Sequence, residues 1–210
     1  MKIAGIDFSI NHPAVCIIDL ATDAVEFLVF PKERSKGHNH LDGTEVRIID
    51  IHRLDVIDGT NTTDRERLST NNAMILATSV VNALPDDLDA IGIENLAFSA
   101  TSNRLAEISG FQYILRYMLT EKYGVNNLYF FAANSVKAKA GSGRFDKNQM
   151  IEKFLESEVT GHDLNIHKCI RENMGIFKKT KNWAKPIDDI ADSYWIARCL
   201  MAAIAANGSL

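Results

Sequence analysis

Four carboxylates at three separated points of the chain have the types and spacing to do chemistry. They are Asp7 in KIAGIDFS, Glu94 in AIGIEN, and Asp189 with Asp192 in PIDDIADSYWIA. Asp7 and Glu94 end short apolar runs that read as buried strands. Asp189 and Asp192 sit in the opening of an apolar helix and share one face at i, i+3 spacing. A carboxylate is costly to bury unless a partner compensates it. Acids at strand ends and a helix start, converging on one spot, would hold divalent cations. The chemistry this points to is metal-dependent hydrolysis of phosphodiesters. Each acid also has a plainer use. Asp7 can cap a turn with Ser9 and Asn11, Glu94 can end its strand in solvent, and Asp188 can complement the helix dipole. Asp192 is less easily explained that way, because it precedes the nearly unbroken apolar run SYWIARCLMAAIAA and needs a positive partner if buried.

The elements that must position these acids follow from hydrophobic period and punctuation. Residues 2–8 and 13–20 read as a hairpin, and 24–30 as a third strand ended by Pro31. The stretch KERSKGHNHLDGTE reads as a loop, and VRIIDIHRLDVI as a strand. Thr63-x-x-Glu66 fits a capping box before a helix over about 64–83. Leu88–Glu94 reads as a buried strand, where Gly92 permits close backbone approach. A helix over 103–122 ends near Gly124. Leu128–Phe131 is a short strand, 135–140 a short helix, and Asp146–Glu158 a helix started by Asp146. The Lys-rich stretch 159–186 is ambiguous, and Ile187–Ala206 is a long apolar helix. The pattern predicts an α/β fold built on a mixed sheet with helices on both faces.

Composition agrees with a globular protein: 46% of the 210 residues are hydrophobic and 24% charged, enough for one domain with a full core. No apolar run approaches the roughly 20 residues of a membrane span, and the N-terminus is not a secretory signal. Cys16, Cys169 and Cys199 lack a disulfide or metal pattern and read as free thiols of a reducing cytoplasm. The net charge of −4 is unevenly spread. From Lys137 to Lys185 there are 11 Lys+Arg against 6 Asp+Glu, whereas the remainder holds 12 against 21. The basic window is either a solvated face or a nucleic-acid surface.

The order of the four blocks resembles the RuvC family of Holliday-junction resolvases, within the RNase H-like (retroviral integrase) superfamily. GIDFSINHPAVCIID is similar to that family's first strand, turn and strand. IENLAFSATSNRLAEISGFQYIL is similar to its glutamate strand and long helix, FFAANSVKAKAGSGRFDKNQM to its Val-Lys block and Lys-x-Gln helix start, and DDIADSYWIA to its closing Asp-x-x-Asp helix. The resemblance covers most of the chain. It implies an RNase H-like mixed five-stranded sheet, three antiparallel strands plus parallel ones, in one domain over 1–210. It implies extra length at about 31–63 and 157–186, and a form of this kind looks like the phage-encoded branch. By the same resemblance, Asp7, Glu94, Asp189 and Asp192 are the metal-binding and catalytic acids. They would hold two ions, Mg²⁺ or Mn²⁺, roughly 3.5–4 Å apart. Lys137 and Lys147 match basic positions near the scissile strand; Lys139 and Arg144 share the basic block and are DNA-binding candidates with them. Phe98 is a candidate wedge aromatic, one place removed from the family's position, or an ordinary core residue. The implied activity is cleavage of branched DNA (a four-way junction) by a cytoplasmic homodimer with no nucleotide cofactor and no membrane, leaving 5′-phosphate and 3′-hydroxyl ends. The 103–122 helix, with Phe111, Ile114, Leu115 and Met118, either forms the dimer surface or packs into the core.

Other patterns carry less. His38-x-His40 lies in the polar stretch without a partner Cys or acid at metal spacing, and His162, His167 and Cys169 have no zinc spacing. Gly141-x-Gly143 lacks the GK[ST] of a phosphate loop. Trp183 and Trp195 read as packing residues, although Trp183 could contact DNA. Three rival readings share parts of the pattern: a fork, flap or RNA–DNA hybrid nuclease, a sugar-kinase or Hsp70-like ATPase, and a catalytically silent DNA-binding protein.

Overall fold

The first three apolar runs fold as a meander of β1 (Lys2–Asp7), β2 (Ala14–Asp19) and β3 (Ala24–Val29), each antiparallel to the one before. The structure, a computed structural model, describes residues 1–55, 61–95, 102–157, 163–180 and 182–208, with the backbone alone of 102–106. A short helix α1 (Lys36–Asn39) and strand β4 (Val46–Ile48) follow, then the long helix α2 (Thr62–Ala83), strand β5 (Ala90–Glu94), helix α3 (Ser102–Tyr123) and strand β6 (Leu128–Phe131). The C-terminal third contributes helices α4 (Ala133–Ala140), α5 (Lys147–Glu156), α6 (Asn165–Glu172) and α7 (Met174–Phe177). The two-residue strands β7 (Lys178–Lys179) and β8 (Asn182–Trp183) and the long helix α8 (Ile187–Ala206) complete it.

The main sheet runs β4-β3-β2-β1-β5-β6, with β5 parallel to β1, β6 parallel to β5, and β4 parallel to β3. This is the mixed α/β arrangement expected, with one correction: among the described residues the main sheet has six strands, not five. The additional strand β4 comes from the stretch 31–63. It is only three residues long because after Ile48 the chain leaves the ladder at the sheet edge, where a short strand is the safe form.

Period two sends the strand side chains to two cores. Ile3, Cys16, Ile18, Phe27 and Val29 face the layer of α4, α5, α6 and α8; Ala4, Ile6, Val15, Ile17 and Leu28 face α2 and α3. On α3, Phe111 and Leu115 are fully in the second core, and Ile114 and Met118 pack against it. That face is therefore spent on the monomer, which corrects its candidacy as a dimer surface. Two helix starts follow their sequence signals in different ways. Asp146 caps α5 and makes a reciprocal box with Gln149. At α2 the cap is Asn61, whose side chain accepts from the Asp64 N–H, rather than a box from Thr63 to Glu66.

The placement of α8 is set by glycine. A Cβ on Gly5 of β1 would lie 2.3 Å from the Ala197 nitrogen and 2.4 Å from the Ser193 carbonyl oxygen. On β5, a Cβ at Gly92 would lie 3.2 Å from Ile196 and 3.3 Å from Leu200. Helix and sheet thus touch almost backbone to backbone. Twelve of the 20 residues of α8 are buried, which fits a helix apolar nearly all round and covered on both sides. Trp195 locks the outer side by donating from Nε1 to the Met150 carbonyl of α5 at 3.1 Å. A Gly5→Ala substitution should destabilise the fold by about 3 kcal/mol or more, because the added methyl meets main chain that cannot rotate away. The denaturant midpoint checks this; an unchanged midpoint would show that α8 does not rest on β1.

Candidate active site

The same two glycines fix the register of the acids. Asp7 lies two residues beyond Gly5 and Glu94 two beyond Gly92, so each carboxylate leaves its strand on the α8 side. The parallel pairing ends at Ile6 opposite Ile93, which leaves Asp7 and Glu94 side by side at the C-terminal strand ends. That edge of a parallel pair is where open α/β sheets bind ligands. On α8, Asp189 is one turn before Ser193, the contact of Gly5. Asp192 is one turn before Ile196, the contact of Gly92. The four predicted acids therefore reach one end of the sheet from three elements.

Their electrostatics confirm the crowding. Burial pushes the Asp7 carboxyl well above the usual range, and Asp192, Asp189 and Glu94 push it further. Glu94 is raised to about 7 by burial and by Asp192, against the pull of Lys137 and Lys147. Asp189 is raised to about 7 by burial and Asp188 despite Lys185. Asp192 is also raised, chiefly by burial, which Lys147 opposes. Asp188 goes the other way: burial raises it, but Lys147 and Lys185 together outweigh that and hold it below the ordinary value.

Two lysines supply the countercharge. The Lys147 ammonium, at the start of α5, lies 3.0 Å from Asp188 Oδ2 and 3.7 Å from Asp192 Oδ2. Lys185, just before α8, lies 2.9 Å from Asp188 Oδ2 and 2.5 Å from Asp189 Oδ1. These ion pairs turn the helix acids toward lysine. Among the described residues no three His, Cys, Asp or Glu side chains close into a metal-holding group. In kind the acids fit a hard divalent cation, since every donor is a carboxylate oxygen. Asp189 is 2% exposed, and its Oδ2 is buried without a hydrogen-bond partner, as is Asp188 Oδ1. A buried carboxylate oxygen left bare is costly, and a cation would compensate it.

The remaining candidates distribute around this edge. Lys137 is half-buried on α4 and is felt by Glu94, whereas Lys139 and Arg144 are exposed beyond it. Phe98 lies outside the described residues, as does His162. A cleft of about 350 Å³ lies beside Asp188, lined also by Asp146, Lys147, Asn148, Ile151, Asn182 and Trp183. Trp183 thus borders the site, with the Lys178 ammonium 4.8 Å from its ring centre; Trp195 is core. His167 is fully buried, edge-on to Phe154 at 4.5 Å. His38, read as part of a loop, is fully buried in α1, with Nδ1 accepting the Ser35 N–H at 2.9 Å. Cys16 and Cys199 are buried and Cys169 partly so, all free.

Sequence reasoning missed Lys185 and the part played by Asp188. Asp188 is more than a dipole partner: its Oδ2 joins both lysines. The signal was present, because Lys185 stands three residues before Asp188 and four before Asp189, the spacing of helical ion pairs.

No family model matches the chain, and no curated protein matches it. Among solved structures the chain is similar in course to Thermus thermophilus RuvC, at 16% identity over 100% of this chain and 98% of that one, TM-score 0.46. T. thermophilus RuvC in complex with Holliday junction substrate is 17% identical over 100% and 97%, TM-score 0.48. Fowlpox virus resolvase with substrate Holliday junction DNA is 14% identical over 97% and 99%, TM-score 0.42. A likeness of this degree assigns no residue its role; the site rests on the chain's own geometry. No helix among the described residues is long and apolar enough to cross a membrane.

Crowded acids have a consequence for stability. A carboxyl whose folded pKa exceeds its unfolded one adds stability below the unfolded value, and that stability is lost as pH rises through the folded one. For Glu94 the window runs from about 4.5 to about 7. The metal-free protein should therefore lose stability as pH rises across it. Glu94→Gln should be more stable than the parent at pH 8 by about 1–3 kcal/mol, with the gain disappearing at pH 4. Thermal melts at the two pH values check this; a variant less stable at pH 8 would mean the acids are not in conflict.

Proposed function

We propose that the chain is a metal-dependent endonuclease for branched DNA, with four-way junctions as its substrate. The observation that carries this is the approach of Asp7, Glu94, Asp189 and Asp192 to one strand edge, where burial first and neighbouring carboxylates second raise all four. The order of the four sequence blocks, similar to the RuvC family, supports the choice of junctions among possible phosphodiesters. Asp7, Glu94, Asp189 and Asp192 would hold two divalent cations, Mg²⁺ or Mn²⁺. When bound, such ions lower the pKa of a water and stabilise a leaving oxygen. The chain's own residues then do the rest. The acids would hold the cations at the strand ends, and it is the cations, not the carboxylates, that would face the reacting phosphate. Lys147, tied to Asp188 and Asp192 in the free protein, would offer countercharge to a phosphate oxygen. Lys137, Lys139 and Arg144 on and after α4 would hold flanking phosphates, giving salt-sensitive, sequence-independent affinity. Water adds to phosphorus and gives up a proton; the P–O3′ bond breaks and the 3′ oxygen takes one up. The ends are 5′-phosphate and 3′-hydroxyl.

A junction presents paired strands, so a two-fold dimer is the economical assembly. The face of α3 that carries Phe111 and Leu115 is not available for it. Forks, flaps and RNA–DNA hybrids would use the same acids, and the choice among them is a matter of shape.

Asp7→Asn should abolish cleavage of a labelled four-way junction in Mg²⁺ or Mn²⁺ while leaving its binding within about two-fold, since Asp7 makes none of the phosphate contacts. Cleavage by Asp7→Asn at the parent rate would remove the assignment. With the parent protein, equal cutting of fork and flap controls would replace the junction by branched DNA in general, and cutting of hybrids alone would make the substrate RNA–DNA.

A further inference from the structure

Lys185 has no part in the chemistry above, yet it makes two of the shortest contacts in the site. Its ammonium lies 2.5 Å from Asp189 Oδ1 and 2.9 Å from Asp188 Oδ2. Asp189 is the most deeply buried of the four acids matched to the metal site, at 2% exposure. One of its oxygens is thus taken by Lys185, and the other, Oδ2, is bare. A carboxylate held by one oxygen keeps a single orientation and offers the second oxygen to a cation. This is the role that partners of metal ligands commonly play.

Lys185 is itself held from outside the site. Its carbonyl accepts a hydrogen bond from Ser35 Oγ at 3.0 Å. Gly37 lies so close that a Cβ there would be 2.5 Å from the same oxygen. The turn that carries both residues is fixed by fully buried His38, which accepts the Ser35 N–H. Two stretches far apart in sequence, 35–38 and 185–189, form one run of contacts ending on Asp189 Oδ1, the oxygen opposite the bare one.

We propose that Lys185 is a positioning residue for Asp189, and that the Ser35–His38 turn holds Lys185 in place. The stretch 31–63 thereby contributes to the active site without supplying a ligand. This rests on the metal-dependent reading above. A competing role gives the opposite sign. A lysine that merely neutralises the acids would have to be displaced by the cation, and its removal would tighten metal binding.

The test is a Mn²⁺ titration of the metal-free protein, with free Mn²⁺ followed by electron paramagnetic resonance, beside the Mn²⁺ dependence of junction cleavage. Lys185→Met should bind Mn²⁺ on the order of ten-fold more weakly. The Mn²⁺ concentration for half-maximal cleavage should rise by a similar factor, with the rate at saturating Mn²⁺ less affected. Lys185→Arg, which keeps the donor, should recover most of the affinity. Ser35→Ala removes only a hydroxyl remote from the acids and should shift Mn²⁺ affinity in the same direction by less, which keeps the test open if Lys185→Met does not fold. Unchanged or tighter Mn²⁺ binding in Lys185→Met or Ser35→Ala overturns the proposal while leaving the nuclease reading intact. A parent protein that binds no Mn²⁺ and cuts no DNA overturns both.

Discussion

Helix α8 lies on strand β1 with no side chain between them at Gly5, and the site depends on that contact. Were the helix held off by even one methyl, Asp189 and Asp192 would stand away from Asp7 and Glu94. The contact converts a common motif, acids at the ends of parallel strands, into a cluster drawn from three elements. It also explains why the helix is apolar nearly all round. A helix lying against a sheet on one side and under α4 and α5 on the other has little solvent face to spend on charge. The acids it does carry are gathered in its first turns, where the sheet ends.

That gathering sets folding against function. Like charges half out of water repel, and the raised carboxyl groups record the cost. Lys147 and Lys185 offset part of it, and they do so through Asp188, the one acid of the group whose charged form is favoured. Asp188 therefore links two lysines that approach from different elements, α5 and the chain before α8. The arrangement is stable enough to fold and leaves buried oxygens without partners, a strained condition typical of sites that bind something.

Much of this was readable in the sequence, and the residues show why. Ile187–Ala206 is continuous apolar helix with acids only at its start, so its limits agree with the structure. Asp146 announced α5 by its cap. Strands β1, β2, β3, β5 and β6 follow their apolar runs, because burial on both faces leaves little else for Val, Ile and Phe to do. What escaped depends on tertiary contact. The turn at Ser35–His38 has no apolar period; it is ordered by Lys185, 150 residues later. Strand β4 starts where the run VRIIDIHRLDVI does but ends at Ile48, because its pairing with β3 stops at Val29 opposite Ile48. The apolar stripe on α3 was visible, but periodicity cannot say whether a stripe meets its own sheet or a second copy. Lys185 carried a local signal, its spacing to Asp188 and Asp189, that was hidden by a basic stretch in which most lysines are solvated.

The central claim is that these acids, placed by Gly5 and Gly92, form a cation-binding edge. The most direct measurement is anomalous scattering from crystals soaked in Mn²⁺. The account predicts anomalous density bounded by the carboxylates of Asp7, Glu94, Asp189 and Asp192, with Lys147 moved off Asp192 to admit it. Density elsewhere on the protein, or none at saturating Mn²⁺ with both lysines still bridging the helix acids, would contradict it.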